Sequence, residues 1–311
     1  MPNLTVPALF GPTGVGKTAI AIALAERLRA AGEDPVAVSA DALQLYSGLA
    51  VLTGAASVEE QSRLEHRLVG VLPVHASSSA GDYAKRAHAE IDSLLAAGRR
   101  PIVVGGTGLY LRAALAELDL RPAPDPEVRA RWNAELARHG AQALHARLTE
   151  RAPAAAVRIA VTDSQRVVRA LELLDGGHAP PSPGAESQLW TRETRHPTLL
   201  AGVWMDRRVL YERIDARVDA MVARGAREEV EAAVAARASP GARQALGFEE
   251  LLGGDEERMK QRTRNYAKRQ LTWMRKLPGV LMLDATGESP ERLAARLHEA
   301  LRERDAAGPA S

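Results

Sequence analysis

Gly11-Pro12-Thr13-Gly14-Val15-Gly16-Lys17-Thr18 decides how this chain is read. The stretch fits the phosphate-binding loop pattern, G-x-x-x-x-G-K followed by Ser or Thr. An apolar run from Leu4 to Phe10 precedes it and reads as a buried strand despite Pro7. A helix-forming series from Thr18 to Leu28, rich in Ala, Ile and Leu, follows it. Strand, glycine loop and helix start together turn the pattern into a candidate site. The glycines let successive N–H groups turn inward, and the helix N-terminus adds partial positive charge. Lys17 offers a full charge to the outer phosphates, and the Thr18 hydroxyl suits Mg²⁺. A plain glycine turn before a helix, with Lys17 merely solvated, is the bland alternative. The loop by itself does not choose among phosphate compounds, nor between breaking a P–O and a C–O bond.

Working outward, Val36-Ala37-Val38 reads as a second strand, and Asp41 stands just beyond it, one strand along from the loop. Residues 47–57 read as a glycine- and alanine-rich loop, Leu68 to Leu72 as a short strand, and Ala80 to Ala97 as an amphipathic helix. Pro101 to Val104 is a plain buried strand running into Gly105-Gly106-Thr107-Gly108-Leu109-Tyr110. Strands alternating with helices predict a parallel α/β sheet, whose ligands sit outside the carboxyl ends of the strands. Three strand ends thus deliver a phosphate loop, an acid and a Gly-Gly-Thr turn to one edge.

The alternation breaks at Arg121-Pro122-Ala123-Pro124. Asp125 caps a helix that runs to His139 and stops at Gly140. Shorter helices follow over 141–151 and after Pro153. Thr162-Asp163-Ser164-Gln165 looks like a capping box opening a helix that ends near Gly176. Nothing over 122–177 reads as a strand, so this is a helical insertion, with a polar connector over 178–197. The sheet resumes at Leu199 to Met205, followed by helices over 209–224 and 226–237. Val280 to Leu283 is the last strand, and the helix from Glu288 is expected to fray by Asp305. The expected layout is a phosphate-loop α/β core over 1–121 and 198–311, interrupted by 122–197.

At 311 residues there is ample chain for a core, and 46% hydrophobic with 26% charged residues is ordinary for a globular protein. The net charge of +2 gives a weak overall field, so a polyanion must be drawn by a local patch. The absence of cysteine excludes disulfides and thiolate metal sites. No signal sequence and no run long enough to span a bilayer are evident, so a cytoplasmic location is expected.

Several residues have two readings. Asp41 is either a turn-capping aspartate or a catalytic or metal-binding acid, and Asp284 at another strand end is its rival. Thr107 is either a capping hydroxyl or a substrate contact. Arg207, Arg208 and Arg213 are either a solvated face or the source of a guanidinium that clamps phosphate. From Arg258 to Lys276 there are eight basic residues and no acid, with Met259, Tyr266 and Trp273 recurring every seven positions. That is a helix with one apolar stripe and basic flanks, either solvated or facing a polyanion. The histidines show no metal-ligand spacing.

With these residues in view the chain resembles the tRNA dimethylallyltransferases. The likeness is carried by 11–18, Asp41-Ala-Leu-Gln44-Leu-Tyr46, His66-Arg67-Leu68, Gly105 to Tyr110 and Asp125 to Arg129. It continues through Gln165-Arg166-Val-Val-Arg169-Ala-Leu-Glu172, Arg207 to Ile214, Gln244-Ala-Leu-Gly247-Phe248 and Tyr266 to Trp273. The resemblance implies transfer of a dimethylallyl group from dimethylallyl diphosphate to N6 of adenosine 37 in tRNA. It implies Asp41 as general base, Thr107 and Arg207 as catalytic partners, and Gly11, Pro12, Thr13, Gly14, Val15, Gly16, Lys17 and Thr18 around the diphosphate with Mg²⁺ on Thr18. Contacts with the anticodon stem-loop would come from Asp41, Ala42, Leu43, Gln44, Thr107, Arg129, Gln165, Arg166, Arg169, Gln244, Gly247, Lys268 and Arg269. A monomer with no membrane partner is expected.

Three departures stand out. Ala42 replaces a serine usual in the family, residues 48–56 lack the family's acid and Thr-Ala-Lys-Pro run, and Phe248 stands where tyrosine is common. The competing readings are a phosphate-loop kinase of small molecules or nucleosides, with 122–177 as a lid, and an RNA-binding switch driven by NTP.

Overall fold

The computed structural model describes residues 4–121, 125–180 and 188–307. Six parallel strands form one sheet: β1 (Val6–Phe10), β2 (Pro35–Ala40), β3 (His66–Arg67), β4 (Arg100–Gly105), β5 (Thr198–Trp204) and β6 (Leu281–Asp284), in the order β3-β2-β4-β1-β5-β6. β1, β2 and β4 are buried almost throughout, as a parallel sheet covered on both faces requires. In register, Ala40 pairs with Gly105, Gly105 with Phe10 and Phe10 with Gly202. The carboxyl ends of β2, β4, β1 and β5 therefore lie level.

The helix Lys17–Ala30 is buried on all sides over Ile20, Ala21, Ile22, Ala23, Leu24 and Ala25, because the sheet covers one side and the helix Pro290–Ala307 the other. Leu293, Leu297 and Leu301 recur every four residues on that last helix and are fully buried in the same core. Each contributes about 1.5–3 kcal/mol of burial.

Several expectations are corrected. Leu68 to Leu72 is not a strand: Leu68 has φ 61° and Gly70 φ 64°, which turns the chain out of the sheet after the two residues of β3. Only Leu72 returns, in an isolated bridge with Tyr46. The loop 47–57 contains a helical turn, Ala50–Thr53, whose Val51 and Leu52 N–H groups donate to Glu229. The last helix does not fray by Asp305. That carboxylate accepts from the Thr5 N–H at 3.0 Å and from buried Arg100 at 2.9 Å, which ties the helix to the sheet's amino edge.

The chain divides into two compact units, 1–118 with 189–311 and Asp119–Gln188. Residues 189–197 therefore go with the first unit, where Trp190 lies against Trp273 with ring centroids 4.7 Å apart. The second unit is helical. Gly140 (φ 77°, ψ 171°) breaks its long helix Pro126–Arg151. Asp163, not Thr162, caps the helix Ser164–Asp175 by accepting from the Arg166 N–H. Trp132, Leu144, Leu148, Val167 and Leu171 form this unit's own core.

Candidate active site

The phosphate loop leaves β1 at Phe10 and enters the helix at Lys17. Gly11 runs so close to β5 that a Cβ there would collide with the Val203 carbonyl. Gly14 (φ 82°) and Gly16 (φ 99°) are left-handed, a conformation that glycine adopts without a Cβ penalty. The first turn of the helix has no intrahelical acceptors for its N–H groups, which makes it an anion cradle. Lys17 Nζ donates to the Gly11 and Pro12 carbonyls, both at 2.9 Å. Its pKa is lowered to about 7, first by burial and then by the Arg217 guanidinium, with Asp41 opposing.

Asp41 follows β2, which stands two strands from β1 rather than one, because β4 lies between them. The intervening turn is bare. A Cβ on Gly105 would strike Ala40, and one on Gly106 would strike Gln270. The Asp41 carboxylate and the Lys17 ammonium each act on the other, the acid favouring the charged lysine and the lysine favouring the charged acid. Asp41 Oδ1 accepts from the Leu43 N–H at 3.0 Å. Burial nevertheless pushes its pKa up, outweighing the Leu43 and Gln44 N–H groups, Lys17 and Arg217. Its charge is felt by the buried or half-buried phenols of Tyr83, Tyr110 and Tyr266; the latter two are pushed up to about 12, mainly by burial. A carboxylate with raised basicity, held near a cation, is equipped to accept a proton.

Thr107 caps no helix with its side chain; its hydroxyl meets the Tyr266 hydroxyl at 2.7 Å. Tyr266 and Gln270 project from the helix Glu256–Met274. Gln270 joins the site on both sides, accepting from the Thr13 N–H at 2.8 Å and donating to the Gly106 carbonyl at 2.6 Å.

Of the three arginines singled out in sequence, only Arg213 reaches the phosphate loop, and it is joined by Arg217, which sequence reasoning missed. Arg207 and Arg208 are exposed in the first turn of the helix Arg207–Ala223, with the Arg207 guanidinium 6.0 Å from the Tyr211 ring centre. Arg213, two turns on, reaches the phosphate loop, its Nη2 lying 3.5 Å from where a Gly16 Cβ would be. Arg217 lies one further turn along. It donates to the Gly54 carbonyl at 3.2 Å, keeps a buried Nε without a partner, and is close enough to Lys17 and Asp41 to shift both. The i, i+4 relation between Arg213 and Arg217 was the sequence signal for it. Gln270 was signalled only by being a polar residue inside the Tyr266-to-Trp273 apolar stripe.

The basic helix splits into two halves. Lys260 pairs with Asp219 at 2.7 Å, Arg262 with Glu250 and Arg264 with Asp215 at 2.7 Å, so these cations are neutralised by acids from other elements. Lys268 and Arg269 are exposed and have no carboxylate partner among the described residues. Gln44 is held by Ser39 and Gly54, and Ala42 and Leu43 follow Asp41. Gly247 (φ 94°) is buried and donates to Glu250, whereas Gln244 is exposed. Phe248, in the place of the usual tyrosine, is fully buried beneath the Arg243 guanidinium.

In the second unit, Arg129 grips the buried Glu172 carboxylate with two hydrogen bonds, and Arg169 approaches the same carboxylate at 3.4 Å. Gln165 and Arg166 are exposed on the helix Ser164–Asp175.

No cluster of three or more His, Asp or Glu side chains that could hold a metal occurs among the described residues. Asp284 closes a local turn by accepting from the Thr286 N–H at 2.9 Å. Thr18, half-buried in the first turn of the helix Lys17–Ala30, carries a hydroxyl, the kind of oxygen that would suit a magnesium ion that keeps waters and takes its other oxygens from substrate phosphates. No helix is long and apolar enough to cross a membrane among the described residues.

The family model described as IPP transferase matches residues 44–277. A tRNA dimethylallyltransferase of Thermobifida fusca is 42% identical, covering 89% of this chain and 88% of the relative. One from Kineococcus radiotolerans is 40% identical, covering 96% and 97%. The crystal structure of the full-length tRNA isopentenylpyrophosphate transferase of Bacillus halodurans superimposes with a TM-score of 0.70 at 30% identity, covering 97% of both chains. Matched by the family model over three quarters of its length and about 40% identical to these relatives over most of it, the chain belongs to the IPP transferase family.

Proposed function

We propose that this protein transfers the dimethylallyl group of dimethylallyl diphosphate to N6 of adenosine 37 in tRNA, releasing diphosphate. What supports the reading is that the strands carrying the phosphate loop, the Gly105–Gly106 turn and Asp41 end level in the sheet, with Asp41 buried and its charge acting on Lys17. The N6 lone pair forms a bond to the allylic carbon. The C–O bond to diphosphate breaks, and its electron pair leaves on oxygen. The N6 proton passes to Asp41, which matters because an aromatic amine is a poor nucleophile until that proton departs. Lys17, Arg213 and Arg217 would stabilise charge on the leaving group, with Arg207 as a further contact from the end of β5. Thr18 would hold Mg²⁺, whose charge eases departure of the diphosphate.

The RNA contacts we propose are the anticodon stem-loop against Lys268, Arg269, Gln44 and Gln244, with Thr107 near the extruded base. Gln165 and Arg166 offer exposed groups on the second unit. Extruding the base costs a few kcal/mol, which contacts to loop nucleotides must offset. A monomer working in the cytoplasm is the proposed form.

Purified protein incubated with unmodified tRNA and radiolabelled dimethylallyl diphosphate should place label on adenosine 37, read by nucleoside mass analysis, with no ATP consumed. Phosphate transfer or ATP hydrolysis without prenylated nucleoside would refute the reading.

A further inference from the structure

We propose that Gln270 is a positioning residue that pins the phosphate loop to the Gly106 turn, and so sets the distance between the diphosphate cradle and the Asp41–Thr107 end of the site. The inference rests on the proposed prenyl transfer. Gln270 is 4% exposed on the buried face of the helix Glu256–Met274. A buried primary amide is costly unless each polar end is bonded. Here Oε1 accepts from the Thr13 N–H and Nε2 donates to the Gly106 carbonyl, joining segments 257 and 164 residues away. The fit is two-sided, since a Cβ on Gly106 would collide with Nε2.

The tie restrains the loop at Thr13, upstream of Gly16, Lys17 and Thr18. The same helix carries Tyr266, bonded to Thr107, and the exposed cations Lys268 and Arg269. One rigid element therefore holds the leaving-group cradle, the turn at the acceptor side and two cations proposed to meet RNA. A misplacement of about 1 Å between reacting groups costs on the order of 100-fold in rate, so a short two-ended tether is well suited to this task.

Gln270→Met keeps length and apolar bulk but loses both hydrogen bonds. Gln270→Glu is isosteric; ionised, it sets a carboxylate oxygen against the Gly106 carbonyl, and protonated, it donates there as the amide did. In the full chain, Gln270→Met should lower kcat by about 10- to 100-fold and weaken inorganic pyrophosphate, with tRNA affinity within about twofold of the parent. Gln270→Glu should be similarly impaired at high pH and recover relative to Gln270→Met as pH falls, a rescue that a mere packing role would not produce. Parent-like kcat and pyrophosphate affinity in Gln270→Met would overturn the proposal, as would loss confined to tRNA affinity. Should Gln270→Met not fold, Gln270→Glu decides: pyrophosphate affinity and turnover that ignore pH relative to the parent would overturn it. A parent enzyme that makes no prenylated tRNA fails the functional reading first, and pyrophosphate affinity still reads the tether on its own.

Discussion

Lys17 gives the sharpest quantitative test. Burial and Arg217 hold its pKa at about 7 rather than 10.5 in the ligand-free protein. A bound diphosphate brings negative charge to within bonding distance of Nζ and returns the lysine to its charged form. Above neutrality, therefore, binding takes up a proton. At pH 8, about 0.9 proton should enter Lys17 per pyrophosphate bound, and between pH 7 and pH 9 the affinity due to this group should fall about 50-fold. Stability of the free protein runs the other way. The unfolded chain binds more protons than the folded one between about pH 7 and 10.5, so this group's destabilisation, complete below pH 7, disappears as pH rises. Calorimetric titration with pyrophosphate in buffers of different ionisation enthalpy measures the uptake. Lys17→Met, titrated in parallel, removes the ligand's own ionisation from the comparison. Equal proton uptake and equal pH slopes in parent and variant would refute a depressed Lys17.

Asp41→Asn should retain tRNA affinity while prenyl transfer drops about 100- to 10,000-fold, measured by single-turnover labelling. In the parent, the acid limb of the rate profile should lie above the ordinary carboxylate value of 3.8, because burial raises the Asp41 pKa. Arg129→Ala leaves buried Glu172 with Arg169 as its remaining cation and should destabilise the helical unit by about 1–3 kcal/mol, seen in thermal melting. Charge reversal at Lys268 and Arg269 should weaken tRNA binding and flatten its log–log salt dependence by about 1.5 units. The same change at Arg264, which is occupied by Asp215, should lower the melting temperature more than the affinity.

What could be read from the chain alone was written in local signals. The phosphate loop announces itself because its glycines, lysine and threonine are consecutive and its flanking strand and helix are adjacent in sequence. Asp41 and Thr107 follow strand ends and were legible for the same reason, as was the helical insertion, punctuated by Pro124, Asp125 and Gly140. Leu68 to Leu72 misled because apolar content does not report φ, and two left-handed residues remove the segment from the sheet.

Tertiary structure alone decided which charges remain free and which distant groups meet. In a chain rich in arginine, composition cannot tell Arg129, spent on Glu172, from Arg217, held beside Lys17 with an unpartnered Nε. Nor can it show that acids on other elements neutralise one half of the basic helix and leave Lys268 and Arg269 without a carboxylate partner among the described residues. Gln270 meets Thr13 across 257 residues only once the sheet has closed, and no local propensity encodes such a contact. Short-range patterning specifies strands, turns and caps, because those depend on neighbouring backbone. The electrostatics and spacing of the site depend on desolvation and on partners brought together by the fold.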